Sequence, residues 1–182
     1  MEQQVRTRKE KILGTIFDIA EVFTAAIIAI MIIFTFMFRF VGVIGPSMIP
    51  TLQENDWLAV SAYSPHPKQG DVVIITQPNA FHEPIVKRVI ATGGQKVDID
   101  FNAGTVYVDD VALEEPYVNA PTYRRGTVNF PVTVPKGHLF VLGDNRNRST
   151  DSRYDTIGFV DENYVLGKVL FRILPFGNFQ VN

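Results

Sequence analysis

The sequence contains no cysteine. Disulfide bonds, thiol catalysis and thiolate metal sites are therefore excluded. Positive charge is also scarce beyond Phe40, where twelve Lys and Arg residues stand against fifteen Asp and Glu. This balance is not that of a nucleic-acid binder, so we expect no nucleic-acid partner. With 46% hydrophobic and 20% charged residues among 182, the chain can form a packed core and disorder is not expected.

Long apolar runs are equally rare, and the sequence has only one. Residues 22–38 carry no charge, and with Phe40 and Val41 the run reaches the ~20 residues that cross a bilayer. Basic residues precede the run, whereas Arg39 is the only cation close after it. By the positive-inside rule, the N-terminus lies in the cytoplasm and the remainder lies outside.

A cleaved signal peptide is the alternative interpretation of a basic start followed by apolar residues. The run exceeds the ~7–15 apolar residues usual in such peptides, and residues 36–45 contain no small-x-small cleavage site. We therefore expect a single-pass protein of the plasma membrane. Its parts are a basic cytoplasmic tail (1–15), a transmembrane anchor helix (16–40) and an extracytoplasmic β-rich domain (41–182).

Beyond the anchor, short apolar runs alternate with Gly, Pro, Asn and Asp. This pattern is typical of β-strands, which we predict at residues 57–60, 71–76, 85–90, 96–99, 105–108, 128–134, 138–142 and 164–174. Asp109-Asp110 has the composition of a hairpin tip between residues 106–108 and 111–113. No 3.6-residue periodicity lasts three turns outside the anchor. The predicted fold class is therefore mainly β, a barrel or folded sheet with at most one or two short helices.

The segment that follows the anchor places a serine between two prolines. Pro46 and Pro50 fix their own φ angles and favour extended geometry in the preceding residue, so the Ser47 hydroxyl can be held at a fixed angle. A serine hydroxyl is a poor nucleophile without a neighbouring base. Taken alone, Gly45-Pro46-Ser47 is also ordinary turn chemistry. The choice depends on whether the chain supplies a base.

Lys87 is the strongest candidate for that base. In the strand predicted at residues 85–90, alternation places Lys87 and Arg88 on opposite faces, so one cation shares a face with β-branched core residues. A desolvated lysine loses its proton more readily and can act as a general base, whereas arginine stays protonated. An exposed edge strand with two solvated cations is the alternative. No triad or metal-ligand pattern surrounds the three histidines, His66, His82 and His138.

A polar stretch, residues 143–153, has no apolar side chain and follows an apolar strand. A surface loop is the simplest interpretation. The density of Asn, Asp, Ser and Arg also suits a hydrogen-bonded scaffold around a catalytic site. The candidate groups are acids and arginines that can form ion pairs, and one hydroxyl that can orient a lysine amine: Asp144, Asp151, Arg88, Arg153 and Ser149.

Four short stretches, taken together, carry a family resemblance. They are Ser47-Met48-Ile49-Pro50-Thr51-Leu52, Gly70-Asp71-Val72-Val73-Ile74, Lys87-Arg88-Val89-Ile90-Ala91 with Gly93-Gly94, and Gly143-Asp144-Asn145-Arg146 through Ser149, Asp151, Ser152 and Arg153. In this order and at these spacings they resemble bacterial type I signal peptidases, the membrane-bound Ser-Lys proteases that remove signal peptides from exported proteins. The resemblance runs from the anchor to about Arg153, and the single anchor is similar to the short Gram-positive form.

This resemblance implies a fold and a catalytic pair. The family's fold is an all-β catalytic domain that contains a coiled-sheet barrel. Ser47 would be the nucleophile and Lys87 the general base, with the backbone N–H of Ser47 as one oxyanion-hole donor. Some members carry a hydroxyl two residues before the nucleophile. This chain has Gly45 there, which leaves the second donor unassigned. No metal or cofactor is implied.

The resemblance also gives the polar stretch a supporting role. Ser149 and Asp151 would hold the lysine and the loop. Asp144 and Arg88 would form a structural ion pair, and Arg153 would be a further ionic partner. Two positions of the stretch receive no role, Asn147 and Arg148.

The substrates implied are signal peptides of secreted preproteins, cut after Ala-x-Ala-like sites. The extended C-terminal end of a signal peptide would add as a strand beside residues 71–76 and 85–87, with small side chains entering shallow apolar pockets. The residues expected to line these pockets are Val41, Val43, Ile44, Met48, Leu52, Ile74, Ile85 and Val86. The lipid bilayer and, transiently, the secretion machinery are the other expected partners.

Two other classes of protein compete with this interpretation. Self-cleaving Ser-Lys proteins of the SOS-repressor type share the catalytic pair, but they carry a DNA-binding or effector segment and an Ala-Gly or Cys-Gly cleavage site before the serine. This chain has an apolar run there instead. A membrane-anchored binding or scaffold protein, whose serine and lysine are incidental, is the alternative from a non-enzymatic class.

Overall fold

The structure is a computed structural model, and it describes residues 2–62, 66–79 and 81–175. The chain divides into two compact units, Met1–Phe38 and Arg39–Asn182. The first unit consists of a helix and the second contains the β-sheets. The last residues of the domain expected over 41–182 lie outside the described ranges.

Helix α1 runs over Glu2–Met37. Within it, Leu13–Met37 is long and apolar enough to cross a membrane by length and composition, with a mean hydropathy of 2.4. The helix begins before the expected anchor because the preceding residues contain no Pro and are mostly good helix formers, such as Glu, Gln, Lys, Arg and Leu. It ends at Met37 rather than at residue 40, since Phe38–Gly42 form a β-strand at the edge of a seven-stranded sheet.

Eleven strands follow in the part of the chain that is described. They are β1 (Phe38–Gly42), β2 (Trp57–Ser61), β3 (Val72–Ile75), β4 (Ile85–Thr92), β5 (Lys96–Asp100), β6 (Thr105–Val108), β7 (Val111–Ala112), β8 (Val132–Thr133), β9 (His138–Leu142), β10 (Val160–Asp161) and β11 (Val165–Leu174). Two short 3₁₀ helices, Arg146–Arg148 and Glu162–Tyr164, complete the regular structure there.

The strands form two sheets. Seven strands form the larger sheet in the order β1-β2-β11-β3-β4-β9-β10, and four form a smaller sheet in the order β7-β6-β5-β8. The larger sheet is curled into a half-barrel. The predicted fold class, mainly β after a single N-terminal apolar helix, is confirmed.

Most predicted strands are present, but one of them is shortened and two observed strands were not predicted. The strand predicted over residues 128–134 is reduced to β8, because Pro131 lacks the N–H that a ladder needs and only residues 132 and 133 pair with β5. Strands β1 and β10 were not predicted. Strand β1 was assigned to the apolar run before it, and β10 is only two residues long.

The hairpin tip at Asp109-Asp110 is confirmed. Val108 pairs with Val111, and both tip residues have positive φ, 52° and 66°. Two consecutive residues with positive φ define the type I′ turn, which matches the twist of the flanking strands. The Asp109 carboxylate also accepts the backbone N–H of Lys96 at 2.9 Å, which links the tip to β5.

Strand β4 lies inside the larger sheet, where it positions the candidate base. Residues 85–88 pair with β3 and residues 88–92 pair with β9. Separate apolar clusters cover the two faces of β3, one around Ile74 and one around Val73. Lys87 and Arg88 are consequently only 3% and 1% exposed. The alternative of an edge strand with solvated cations is therefore wrong.

Candidate active site

The segment that carries Ser47 is fixed from two directions. Met48, the residue that follows it, is buried in the core of the larger sheet. On the other side, the backbone N–H of Asn145 donates to the Ser47 carbonyl at 3.0 Å, and Asn145 Nδ2 donates to the Pro46 carbonyl at 3.0 Å. Sequence reasoning gave Asn145 no role of its own, although it lies in one of the four stretches that carry the resemblance.

The Ser47 hydroxyl and the Lys87 amine lie within hydrogen-bonding distance. Lys87 Nζ is 2.9 Å from Ser47 Oγ and donates a second hydrogen bond, of 3.0 Å, to the carbonyl of Val86. Forty residues of chain separate the serine and the lysine, so only the fold brings them together. Both positions were predicted as the catalytic pair.

Burial changes the acid–base chemistry of this lysine. Desolvation lowers the pKa of Lys87 to about 8, against the opposing charges of Asp151 and Asp144, which favour the ammonium form. A lysine with a pKa near 8 has a substantial neutral fraction at physiological pH. A neutral amine within 2.9 Å of the Ser47 hydroxyl is placed to accept its proton.

Arg88 and Asp144 form a buried, two-pronged ion pair. Arg88 Nε and Nη2 donate to the two carboxylate oxygens at 2.9 and 2.8 Å. Arg88 Nη1 donates to the Gly70 carbonyl, and the Thr51 hydroxyl donates to Asp144. The predicted pairing is present, and it joins β4, the Ser47 segment and the polar loop (residues 143–153).

Asp151 and Arg153 form a second pair within the polar loop. Arg153 Nε and Nη2 each lie 2.8 Å from an Asp151 oxygen, and the Gly143 N–H donates to the same carboxylate at 3.1 Å. Burial acts to raise the pKa of Asp151, but hydrogen bonds and charge from Arg153, with the Gly143 N–H, hold it below its usual range. The anionic Asp151 therefore orders the loop and in turn favours the charged form of Lys87.

The expected hydrogen bond from the Ser149 hydroxyl to Lys87 is not formed among the described residues. The hydroxyl is buried and has no hydrogen bond of ordinary geometry, although it lies close enough to Asp151 to help lower the pKa of that carboxyl. It lies instead against the Cα of Gly143, where a Cβ would overlap it and the Ser47 carbonyl. The Lys87 amine turns toward Ser47 and Val86. The role expected for Ser149, to hold the lysine, therefore stays a prediction.

A groove of about 470 Å³ opens beside Ser47 and Lys87. Among the residues that line it are seven of the eight predicted for the substrate pockets: Val41, Val43, Ile44, Met48, Ile74, Ile85 and Val86. The eighth, Leu52, is absent from the groove because it is fully buried in the core with Leu58 and Val60. Sequence reasoning missed seven further lining residues: Gly42, Pro46, Phe81, Glu83, Pro84, Arg148 and Thr150. Their closeness in sequence to Ser47, Lys87 and Ser149 was the available signal.

Gly45 also lines the groove, two residues before Ser47. Its φ is +82°, a conformation that residues with a side chain rarely adopt. The position therefore suits glycine and offers no hydroxyl. Among the described residues, no hydrogen bond occupies the Ser47 N–H, which leaves that donor available to a ligand in the groove.

The free strand edge at the groove differs from expectation. Strand β3 pairs with β4 on one side and β11 on the other, so a peptide cannot add beside residues 72–75. Residues 85–87 pair with β3 alone among the described strands, because β9 begins its pairing at Arg88. The edge of β4 before Arg88 is therefore the open one.

The histidines take no part in this arrangement. His66 Nδ1 lies 3.8 Å from Glu162, and His138 contacts the carbonyl of Lys136. His82 lies in the turn before β4 with a φ of 56°. Within the described ranges, no group of three or more His, Asp or Glu side chains is placed to hold a metal ion.

Comparison with known proteins identifies the family of this chain. The model of the family described as "Signal peptidase, peptidase S26" matches residues 16–174, which is well over half of the chain. A probable signal peptidase I-1 of Synechocystis is 39% identical over 140 residues, covering 71% of this chain and 67% of that protein. Signal peptidase IB of Staphylococcus aureus is 34% identical, covering 96% of this chain and 95% of that protein.

A solved structure is also similar in sequence. The crystal structure of a signal peptidase I from Enterococcus faecalis is 34% identical and covers 58% of this chain and 97% of that one, with a TM-score of 0.46. The length of the family match and the identity to the S. aureus protein together establish the relationship. The chain belongs to the signal peptidase family, peptidase S26, and is a peptidase of the signal peptidase I type.

Proposed function

We propose that this chain is a membrane-anchored serine endopeptidase that removes signal peptides from exported preproteins after Ala-x-Ala-like sites, with Ser47 as nucleophile and Lys87 as general base. The observation that carries the proposal is the 2.9 Å separation of Lys87 Nζ from Ser47 Oγ, combined with the desolvation of that amine. Family membership supports the reaction class, and the geometry supports the two roles.

The first half of the reaction forms an acyl-enzyme. Neutral Lys87 accepts the Ser47 proton as Oγ attacks the carbonyl carbon of the scissile bond. The resulting oxyanion takes a hydrogen bond from the Ser47 N–H. When the C–N bond breaks, the Lys87 ammonium returns the proton to the leaving amine, which is the new N-terminus of the mature protein.

The second half releases the signal peptide. Lys87, neutral again, accepts a proton from a water molecule that attacks the ester carbonyl. The tetrahedral intermediate then collapses, Ser47 Oγ leaves and regains its proton from Lys87, and the signal peptide departs with a free carboxylate. One base therefore serves both steps, and neither step uses a metal or a cofactor.

Substrate recognition uses the groove and the open edge of β4. An extended peptide beside residues 85–87 would hydrogen-bond to that edge and direct alternate side chains into the groove. The groove is lined mainly by aliphatic side chains such as Val43, Ile74 and Ile85, which suit small apolar groups. Ala-x-Ala, with small residues at alternating positions, matches this pattern.

Anchoring follows from α1. Leu13–Met37 would span the bilayer, the basic tail would remain in the cytoplasm, and the β-rich unit would lie outside. The β-rich unit, which contains Ser47 and Lys87, would then lie on the side of the plasma membrane to which preproteins are exported. Contact with the secretion machinery would be transient.

The proposal is tested with full-length protein in detergent and a preprotein that carries an Ala-x-Ala site. We expect cleavage after the second alanine, and labelling of Ser47 by a serine-directed acylating inhibitor. Both should be lost in Ser47→Ala and in Lys87→Ala. Lys96→Ala is the matched control, because Lys96 is an exposed strand lysine of the smaller sheet. Cleavage or labelling that survives in Ser47→Ala would refute the proposed nucleophile, and turnover in Lys87→Ala would refute the proposed base.

A further inference from the structure

An irregular segment between two strands of the smaller sheet lies along the polar loop. This strap (residues 114–128) connects β7 to the region before β8 and bonds to the loop at several points. Arg153 Nη1 donates to the Arg124 carbonyl at 2.8 Å, and the Val128 N–H donates to the Arg153 carbonyl at 3.0 Å. Asn147 accepts the N–H groups of Tyr123 and Arg124 and donates to the Pro121 carbonyl.

The strongest contact between strap and loop is ionic. The Glu115 carboxylate accepts hydrogen bonds from Arg146 Nη1 at 2.8 Å and from Arg146 Nη2 at 2.6 Å. The Glu115 side chain is only 10% exposed and that of Arg146 is 0% exposed. Arg146 Nε donates to the Gly143 carbonyl at 3.1 Å. Gly143 lies against the Ser47 carbonyl so closely that a Cβ would overlap it. Glu115 is therefore connected to the Ser47 segment through one arginine and one glycine.

Tyr117 connects the same strap to the base strand. Its ring centroid lies 4.0 Å from Arg88 Cζ and 5.9 Å from Arg146 Cζ, so one aromatic ring contacts both guanidinium groups. Its hydroxyl donates to Glu115 Oε1 at 3.1 Å. Burial, followed by the charge of Glu115, raises the pKa of Tyr117 to about 12, so the phenol stays neutral and keeps donating.

The Tyr117 ring interacts electrostatically with two buried arginines. Arg88 and Arg146 are like charges held near each other in a region without solvent, and each has its own carboxylate, Asp144 or Glu115. The negative face of an aromatic ring attracts a cation, more strongly when water is excluded. The strap therefore fixes the positions of the two arginines, which in turn fix β4 and the polar loop on either side of the Ser47–Lys87 contact.

We propose that Glu115 and Tyr117 of the strap are positioning residues for the peptidase reaction, acting through Arg146 and Arg88 on the Ser47–Lys87 contact, an inference that rests on the function proposed above. Neither residue lines the groove, so neither contacts bound substrate by this arrangement. Their replacement should therefore alter the rate of the chemical step and leave substrate binding unchanged.

The size of the effect follows from the sensitivity of nucleophilic attack to geometry. Displacement of reacting groups by about 1 Å can reduce a rate ~100-fold. We expect Tyr117→Ala to lower kcat by about ten- to a hundredfold with KM unchanged. Tyr117→Phe keeps the ring against both arginines and should restore most of kcat. Glu115→Gln keeps the shape of the side chain, leaves Arg146 without its counter-charge, and should show the same selective loss of kcat.

The experiment measures kcat, KM and the rate of Ser47 acylation for full-length wild type, Tyr117→Ala, Tyr117→Phe and Glu115→Gln, with thermal unfolding of each. Tyr107→Ala is the matched control, because Tyr107 is a half-buried tyrosine of β6 in the smaller sheet, and its activity should equal that of wild type. Should Tyr117→Ala unfold at the assay temperature, folded Glu115→Gln decides the question alone.

Three results would overturn the inference: wild-type kcat in folded Tyr117→Ala or Glu115→Gln, a Tyr117→Phe variant as slow as Tyr117→Ala, or an equal loss in Tyr107→Ala. In each of these the wild type still cleaves its substrate, so the proposed function stands. A wild type that neither cleaves nor acylates at Ser47 would overturn the proposed function and this inference together.

Discussion

The guanidinium of Arg88 and the carboxylate of Asp144 meet through two hydrogen bonds of 2.9 and 2.8 Å, with side-chain exposures of only 2% and 0%. The pair joins β4, which carries Lys87, to the polar loop, which holds the Ser47 carbonyl through Asn145. A mutation in either partner should therefore affect stability as well as catalysis.

Asp144→Asn should lower the free energy of unfolding by about 3–5 kcal/mol, because Arg88 is then a buried charge without its counter-ion. Urea unfolding of the full-length chain in detergent measures this change. The control is Asp110→Asn, which removes the exposed pair between Lys96 and Asp110 and should change stability little. Equal stability of Asp144→Asn and wild type would show that the buried pair contributes nothing.

The rate of Ser47 acylation should depend on pH with a midpoint near the pKa of Lys87, which desolvation lowers to about 8. Lys87 must be neutral to accept the Ser47 proton, so the rate should fall about tenfold per pH unit below that midpoint and level off above it. The measurement is inhibitor labelling of Ser47 between pH 6 and 10 at saturating inhibitor. A rate that does not change between pH 6 and 9 would contradict a lysine base of lowered pKa.

Lys87→Met should abolish activity and stabilise the folded protein at pH 7. Wild type carries a desolvated ammonium there, and methionine fills similar space without charge. The lowered pKa corresponds to about 3 kcal/mol at most, and the loss of two hydrogen bonds offsets part of it, so we expect a gain of about 1–3 kcal/mol.

The stability gained in Lys87→Met should depend on pH, because the pKa of Lys87 is lower in the folded state than in the unfolded state. Below pH 8 the folded and unfolded states both bind the Lys87 proton, and the folded state bears the full cost of burying it. As pH rises from about 8 to the ordinary lysine value of 10.5, the folded state is neutral while the unfolded state is still charged, so wild-type stability increases. The advantage of Lys87→Met should shrink across that interval. Urea unfolding at pH 7 and pH 10 measures it, and an advantage that grows with pH would contradict the assignment.

Gly143→Ala should impair both folding and acylation. A Cβ at this position would overlap the Ser149 side chain and the Ser47 carbonyl, and that carbonyl cannot move without shifting Ser47, the proposed nucleophile. Overpacking of a close contact costs about 1–3 kcal/mol. Gly14→Ala is the control, since a Cβ at Gly14 meets no atom within 4 Å. Thermal unfolding and the rate of inhibitor labelling measure the two effects, and wild-type values for both would show that the contact relaxes freely.

The sequence predicted much of the fold because local patterns carry the information. Alternating apolar residues bounded by Gly, Pro and Asp located most strands, and two Asp residues between β-branched runs located the hairpin at Asp109. It failed where an element is short or is decided by distant pairing. Strand β10 has two residues, and Phe38–Gly42 continues an apolar run in sequence but pairs as a strand.

The candidate site was predicted in part for the same reason. The residues of the Ser47–Lys87 contact, and those of the Arg88–Asp144 pair, carry distinctive chemistry in recognisable stretches. Glu115 and Tyr117 have no such signal, because an acid and a tyrosine in a loop are common. Leu52 was placed in a substrate pocket, but the turn at residues 47–51, after which the Leu52 N–H donates to the Met48 carbonyl, places it in the core.

The sequence by itself determined the one long apolar run, the β-rich remainder and the presence of a serine, a lysine and a set of acids and arginines able to perform and support acyl transfer. The apolar run and the β-rich remainder follow from composition and short-range periodicity, and the roles of the serine, the lysine and the ionic groups follow from the resemblance of four stretches to signal peptidases. Only the tertiary structure decided that Lys87 is buried rather than solvated, that its amine donates a hydrogen bond to Ser47, and that the open strand edge belongs to β4 rather than β3. The physical reason is that desolvation and strand pairing depend on which distant segments pack together, and side-chain identity along the chain does not specify that directly.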